Sequence, residues 1–274
     1  ELSGSSYLMA KDRGQEFSAI PVFLHRRFRH GFIFVNTTKG ISKPTDLNGK
    51  RVGLKTYQAT AILYLRGLLA DEYGVDLDSI DWVTELEEEI PFDAPPGTRI
   101  TQAPAGSDIS EMLAEGEVDA VIHPDIILPI LRGDERVARL FTDYRTEEEA
   151  YYKRTGIFPI MHATAIRNEI LEEYPWVANN LAQAFDRAKI AAYKRMSNPR
   201  IVPLAWFLDE WDAQRELLGP DPWEFGLTPS NRKNLETLIG YSKAGGLISN
   251  LNTVDDFYMD VMLESRGRGE WDRG

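Results

Sequence analysis

The feature that most limits what this chain can become is a change of rhythm near residue 165. Before it, β-rich runs alternate with helical stretches; after it, the apolar spacing is helical. "GFIFVNTTKGI" and "GKRVGLKTY" read as strands parted by the turn-rich "SKPTDLNG". In "QATAILYLRGLLADEYGV", Ile62, Leu65, Leu69 and Tyr73 recur at helical spacing, and Gly74 stands where a helix would stop. "SIDWV" and "RITQAP" are further short strands, joined by "ELEEEIPFDAPPGT", whose prolines at 91, 95 and 96 deny it both helix and ladder. "SDISEMLAEGEVDAVIHPDI" predicts a helix opened by Asp108 and Glu111 as a capping box, then a buried strand. Such alternation predicts parallel βαβ units.

The flanks differ. "SYLMAKDRG" reads as a helix, Val177, Leu181, Phe185, Ala188 and Ala192 mark one face of a long helix after Pro175, and "SNRKNLETLIGYSKAGG" predicts another, with Ser230 as N-cap and Gly245 as stop. The final "RGRGEWDRG" reads as a frayed tail. The expected architecture is α/β and two-lobed. Lobe II is residues 31–165, inserted into a mostly helical lobe I made of 1–30 and 166–274. Two chain crossings then frame a cleft, where ligands are commonly held, and His30 and His162 lie near those crossings.

Charge narrows the ligand. With 43 Asp and Glu against 31 Lys and Arg, the net charge is -12, and nucleic acid is excluded as a partner because phosphate neutralisation needs an extended basic face. Against that acidic background "HRRFRH", residues 25–30, puts five His or Arg side chains into six positions, just before a strand. Guanidinium forks bind carboxylates bidentately. Arg26 and Arg29 are therefore candidate clamps for a small carboxylated ligand, and Arg27 the solvent-facing member; the alternative is that all three merely offset the acidic surface. There is no cysteine, so thiolate chemistry is excluded. No window approaches the roughly 18 to 20 apolar residues of a membrane span, and the start lacks a signal-peptide pattern, which makes a cytoplasmic location the expectation and a periplasmic one the alternative if a leader precedes residue 1.

"SSYLMAKDRG", "AIPVFLHRRFRHGFIFVN", "DLNGKRVGLKTYQATAILYLRGLLADEYGV" and "EEAYYKRTGIFPIMHATAIR" together resemble the 4,5-dihydroxyphthalate decarboxylase family, which is related to the periplasmic-binding-protein-like type 2 fold of solute receptors. The likeness covers nearly the whole chain and is weakest over the last 50 or so residues. It implies a cofactor-independent decarboxylase of a dihydroxylated aromatic acid. It further implies a strand and helix unit ahead of residue 1, whose loss would leave an unpaired sheet edge and favour a homo-oligomer. Asp125 stands where the resemblance implies an arginine, and a carboxylate there would repel a dianionic substrate.

Decarboxylating a hydroxylated ring needs a proton donor, a base near the phenol, and cations that hold carboxylates. His30 and His162 lie in the matching blocks and are the candidate catalytic pair; the bland reading of each is a hydrogen-bonded core histidine. Ser5 and Ser6 precede one helix and Thr56, Tyr57 and Gln58 another, where free N–H groups could receive an anion or could simply be capped. Tyr152 and Arg154, in "AYYKRTG" beside Tyr151, are further candidates to line the cleft or to pack it. His25 and His123 are left as surface or supporting groups. No HxH, HxxxH or HExxH spacing marks a metal site. The second function that this fold serves is that of a solute-binding protein for a transporter, capturing the same kind of ligand without chemistry.

Overall fold

A computed structural model of the chain describes residues 1–263, so the frayed tail expected at the C-terminus lies outside the described residues. In chain order the elements are β1 (Leu2–Ser3), α1 (Gly4–Asp12), β2 (Phe17–Ile20), β3 (Ile33–Asn36), β4 (Arg51–Leu54), α2 (Thr60–Tyr73), β5 (Asp81–Thr84), β6 (Arg99–Gln102) and α3 (Ile109–Glu115). There follow β7 (Ala120–Ile122), α4 (Leu128–Leu131), β8 (Val137–Arg139), α5 (Tyr144–Thr155), β9 (His162–Arg167), α6 (Asn168–Glu173), α7 (Val177–Met196), α8 (Phe207–Leu218), α9 (Pro229–Ala244) and α10 (Val254–Phe257).

The local signals act largely as the sequence predicts. Gly74 closes α2 in the left-handed conformation, at φ 66°, which glycine adopts without steric penalty. The Asp108 side chain accepts the N–H groups of Ser110 and Glu111 at the start of α3. At α9 the cap is Thr228, whose side chain accepts from Asn231 N–H, and not Ser230; Pro229, preset for a first helical position, moves the start two residues back. Similarly α1 begins at Gly4, so Ser5 and Ser6 lie inside its first turn, and α2 begins at Thr60 after Ala59. "EEEAYYKRT", left without an element by sequence, is helical as part of α5.

Six strands drawn from residues 33–139 form a sheet in the order β6-β5-β4-β7-β3-β8, and β1, β9 and β2 form a second. The neighbours β6, β5, β4 and β7 are parallel, as the βαβ rhythm predicts, whereas β3 pairs antiparallel with both β7 and β8. The winding reverses between β4 and β7, and open α/β sheets hold ligands outside the strand ends at such a reversal. Between the sheets the chain crosses twice, and the crossings pair with each other: Arg26 bridges Ile160 in antiparallel sense, Arg27 N–H donates to Pro159 O at 3.0 Å, and Met161 N–H donates to His25 O at 2.9 Å.

One large apolar cluster runs through both parts, from Tyr7, Leu8 and Phe23 to Val52, Tyr64 and Trp82 and on to Leu235, Leu238 and Phe257. Helix α2 therefore packs on α1 and α9, and its buried residues share this cluster with Val52, Leu54 and Trp82 of its own sheet. A clasp closes the far end: the Asp12 carboxylate, buried at the end of α1, accepts N–H groups from Ser249, Asn250 and Leu251. Among the described residues no helix is long and apolar enough to cross a membrane.

Where α2 meets α9, Gly67 lies under the Tyr241 ring, and a Cβ there would fall 2.4 Å from its Cγ. Gly67→Ala should therefore destabilise the protein by about 1 to 3 kcal/mol, although alanine is the better helix former by about 1 kcal/mol. A lowered urea midpoint would bear this out; an unchanged or raised midpoint would show that the ring yields.

Candidate active site

The paired crossings gather the basic segment. Arg26 is buried and its guanidinium is committed to the protein: Nη2 donates to Glu224 O at 3.0 Å and to Asn231 Oδ1, and Nη1 to Phe158 O at 3.4 Å, with the Phe23 and Phe158 rings alongside. Arg29, also buried, sends Nη1 to Pro124 O at 2.8 Å, tying the crossing to the loop after β7, and Nε to the Met161 sulfur. Burial lowers both to about 10, which leaves them charged at neutral pH. Arg26 thus holds lobe to lobe instead of clamping a ligand. Arg27 is exposed as expected, with its guanidinium over Phe32.

The two predicted catalytic histidines do not meet. His30 forms, with Gly31 and Phe32, a single 3-10 turn ahead of β3, and its ring, 1% exposed, packs among Tyr73, Phe141 and Tyr151. His162, at the start of β9, is half-buried elsewhere: its Nε2 lies 3.5 Å from His25 Nδ1 and its Nδ1 lies 2.8 Å from a Glu1 carboxylate oxygen. Its partner is thus His25, which the sequence reading left aside. Burial, then the neighbouring His162, Arg29 and Arg27, lower His25 below the usual imidazole range, so it is uncharged at neutral pH. His123 stays with its own loop, Nδ1 3.1 Å from Asp125 N, while the Asp125 carboxylate lies in the field of Arg29.

The remaining candidates are used within the fold. Ser5 donates to Gln58 O and lies 3.0 Å from the Thr60 hydroxyl, joining α1 to the loop before α2, while Ser6 is half-buried one residue on. Thr56 is half-buried in that loop and caps nothing. The N–H groups of Tyr57 and Gln58 are taken by the Glu88 carboxylate, at 2.5 and 3.1 Å, and Gln58 Nε2 adds a third bond at 2.7 Å. The acidic run "ELEEEI" thus supplies the anion that this turn holds. Tyr152 packs edge-on against Phe28, and Arg154 is exposed and bonded to Glu72 at 2.8 Å.

A different group completes the site. Beside the crossing lies a cavity of about 290 Å³ lined by Arg26, Arg27, Arg139, Tyr144 and Glu148, with Phe28, Phe32, Phe158 and Trp223 as aromatic walls. Arg139, at the end of β8, donates Nε to Gly31 O at 3.0 Å. Glu148, one face along α5, is 15% exposed and hydrogen-bonds the backbone N–H groups of Gly31 and His30. Burial pushes its carboxyl up to about 7; those N–H groups, with Arg27 and Arg29, oppose the rise without cancelling it. A carboxyl titrating near neutrality, facing a cavity with guanidinium groups and aromatic walls, can pass a proton to or from a bound aromatic anion. Sequence reasoning missed Glu148, Arg139 and Trp223. The one local signal was Tyr151, the buried residue of α5, three positions after the second of three consecutive glutamates and so on the same helix face. Among the described residues no three His, Asp or Glu side chains are grouped as metal ligands.

The architecture and the crossing define a class: a two-lobed α/β protein with a periplasmic-binding-protein-like fold. The periplasmic aliphatic sulphonate binding protein SsuA of Escherichia coli has this fold, with a TM-score of 0.51 at 14% identity over 93% of this chain and 78% of its own. A protein of Bordetella bronchiseptica also scores 0.51 at 14% identity, over 98% and 78%. No protein-family model matches the chain. By sequence it is 35% identical over 275 residues to the 4,5-dihydroxyphthalate decarboxylase of Comamonas testosteroni, spanning 97% of this chain and 83% of that one. It is 34% identical over 160 residues to the enzyme of the same name from Pseudomonas putida, spanning 56% and 62%. The chain belongs to the 4,5-dihydroxyphthalate decarboxylase family.

Two outcomes follow from this geometry. Arg26→Ala removes bonds to three acceptors and strands the buried Asn231 Oδ1, so it should cost on the order of 2 to 4 kcal/mol in urea denaturation; a stable variant with weakened ligand binding would return Arg26 to the clamp. Glu148 titrates near 7 in the fold against an ordinary 4.5, so the folded state binds this proton more tightly. Its contribution to stability is full below about 4.5 and is lost as pH rises through about 7. Between pH 5 and pH 8 the wild type should therefore lose stability relative to Glu148→Gln, and parallel pH profiles would contradict that.

Proposed function

We propose that this protein decarboxylates 4,5-dihydroxyphthalate to protocatechuate. Family membership supports the substrate. The observation that carries the chemistry is the Glu148 carboxyl, raised to about 7 at the edge of a cavity that also holds Arg27 and Arg139. In this reading Arg27 and Arg139 take the substrate's carboxylates, and the aromatic walls hold the ring. Arg139 is the less free of the two, because its Nε is bonded to Gly31 O. The hydroxyl para to the departing carboxylate feeds electrons into the ring, and Glu148 delivers a proton to the carbon that bears that carboxylate. The C–C bond electrons return to the ring as CO2 leaves, and Glu148 regains its proton from water. Each turnover thus exchanges one carboxylate for one hydrogen. The His25 and His162 pair lies at the other end of the basic strip, outside the lining of this cavity, with His25 in the field of Arg29 and Arg27, and it has no part in the step.

The test is CO2 release from 4,5-dihydroxyphthalate, with binding followed by calorimetry. Glu148→Gln should lower kcat by about 10² or more with KM little changed, while Arg27→Ala should chiefly raise KM. Because the acid form of Glu148 is required, kcat should fall as pH rises above about 7. Binding without CO2 release would make the protein a solute receptor, and a fully active Glu148→Gln would remove Glu148 from the chemistry.

A further inference from the structure

His30 has no task in the proposed reaction, and it is an unusual histidine. Its ring is 1% exposed and neither nitrogen has a hydrogen-bond partner. Leaving a buried polar atom unsatisfied costs about 1 to 3 kcal/mol, and such orphans call for an explanation. Tyr73, Phe141 and Tyr151 close around the ring with centroids 5.4 to 6.0 Å away, and they offer it no acceptor in this arrangement. The polar group that its Nδ1 faces is the Glu148 carboxylate, at 3.9 Å. That is about 1 Å beyond a hydrogen bond.

The pair is not an ion pair. Burial, followed by the field of Arg154, holds the imidazole down at about 4, whereas burial holds the carboxyl up. The usual order of a carboxylate and an imidazole is inverted, and at neutral pH the imidazole is uncharged. The same turn that carries His30 also fixes the carboxyl, through the N–H groups of His30 and Gly31. Gly31 must be glycine for this: a Cβ there would lie 2.9 Å from the Tyr144 ring that opens α5. The carboxyl and the ring are therefore held on two elements that meet at one point.

We propose that His30 is a positioning residue for Glu148: with substrate in the cavity the gap closes, and Nδ1–H donates to the carboxyl oxygen, most strongly once Glu148 has given up its proton. This rests on the reading of Glu148 as the proton donor. No bond is made or broken at His30; the imidazole keeps its single proton throughout and stabilises the carboxylate left behind. The other charges facing the pair are Arg27 and Arg29 from the crossing, Arg139 from β8, and Arg154 and Glu147 from α5, the last bonded to Tyr73 of α2. None of them replaces a neutral donor inside the aromatic box.

The experiment is a 13C-carboxyl NMR titration of the full chain with phthalate bound as an unreactive analogue, Glu148 being assigned by loss of its signal in Glu148→Gln. His30→Phe, which fills the box without a donor, should raise the Glu148 midpoint by about one pH unit and move the alkaline limb of kcat with it. His30→Gln, which restores a donor, should bring both back toward wild type. An unmoved midpoint in folded His30→Phe overturns the proposal. Should that variant not fold, the 15N shifts of His30 in the wild-type complex, assigned with His30→Gln, decide between a proton on Nδ1, as proposed, and one on Nε2, which overturns it. A wild type that releases no CO2 would overturn the decarboxylase reading alone, because the titration reads the pair without turnover.

Discussion

Two antiparallel crossings, held together at Arg26 and Ile160, are the constraint from which the rest of this structure follows. They give the two sheets a common seam, and they bring residues more than 130 positions apart within reach of one another. Arg26 secures that seam from inside. Its guanidinium gathers carbonyls from both the return crossing and the segment before α9, and a planar fork with several donors suits such a task better than a lysine would. What looked like a ligand clamp in the sequence is thus a fastening between lobes, whereas Arg27 stays exposed.

Around the seam the polar groups sort themselves by dielectric environment. At the surface the Asp134 carboxylate, between Arg132 and Arg136, is held well below the ordinary range, with the Arg136 hydrogen bonds the chief cause. Glu148, on a helix wall beside the seam, loses water without gaining a close salt bridge, and its carboxyl is pushed up to about 7. Burial acts on His30 in the opposite sense, because for a base it is the protonated form that is charged. One desolvated corner therefore holds a proton on a carboxyl and keeps it off an imidazole.

A second carboxylate shows the same economy of donors. Glu88 fills the N–H groups of the Tyr57–Gln58 turn, and Phe92 from the same connection stacks on the Tyr57 ring at 5.4 Å and 11°. The turn that would receive an anion after β4 is thereby satisfied from within the chain, and the connection is anchored despite its prolines.

The sequence by itself determined the short-range order: the parallel core strands, α2 with its glycine stop, the capped α3 and the long α7, because periodicity and capping act over a few residues. It also marked the segment that bears the site, since five basic side chains in an acidic chain stand out without a structure. It could not decide which arginine would be buried, that His162 would meet His25 and not His30, or that the second of three consecutive glutamates would turn inward. Those outcomes depend on which side chains lose water when the two crossings pair and α5 packs against the turn at residues 30–32. Desolvation is a property of the assembled surface, and no local stretch of chain encodes it.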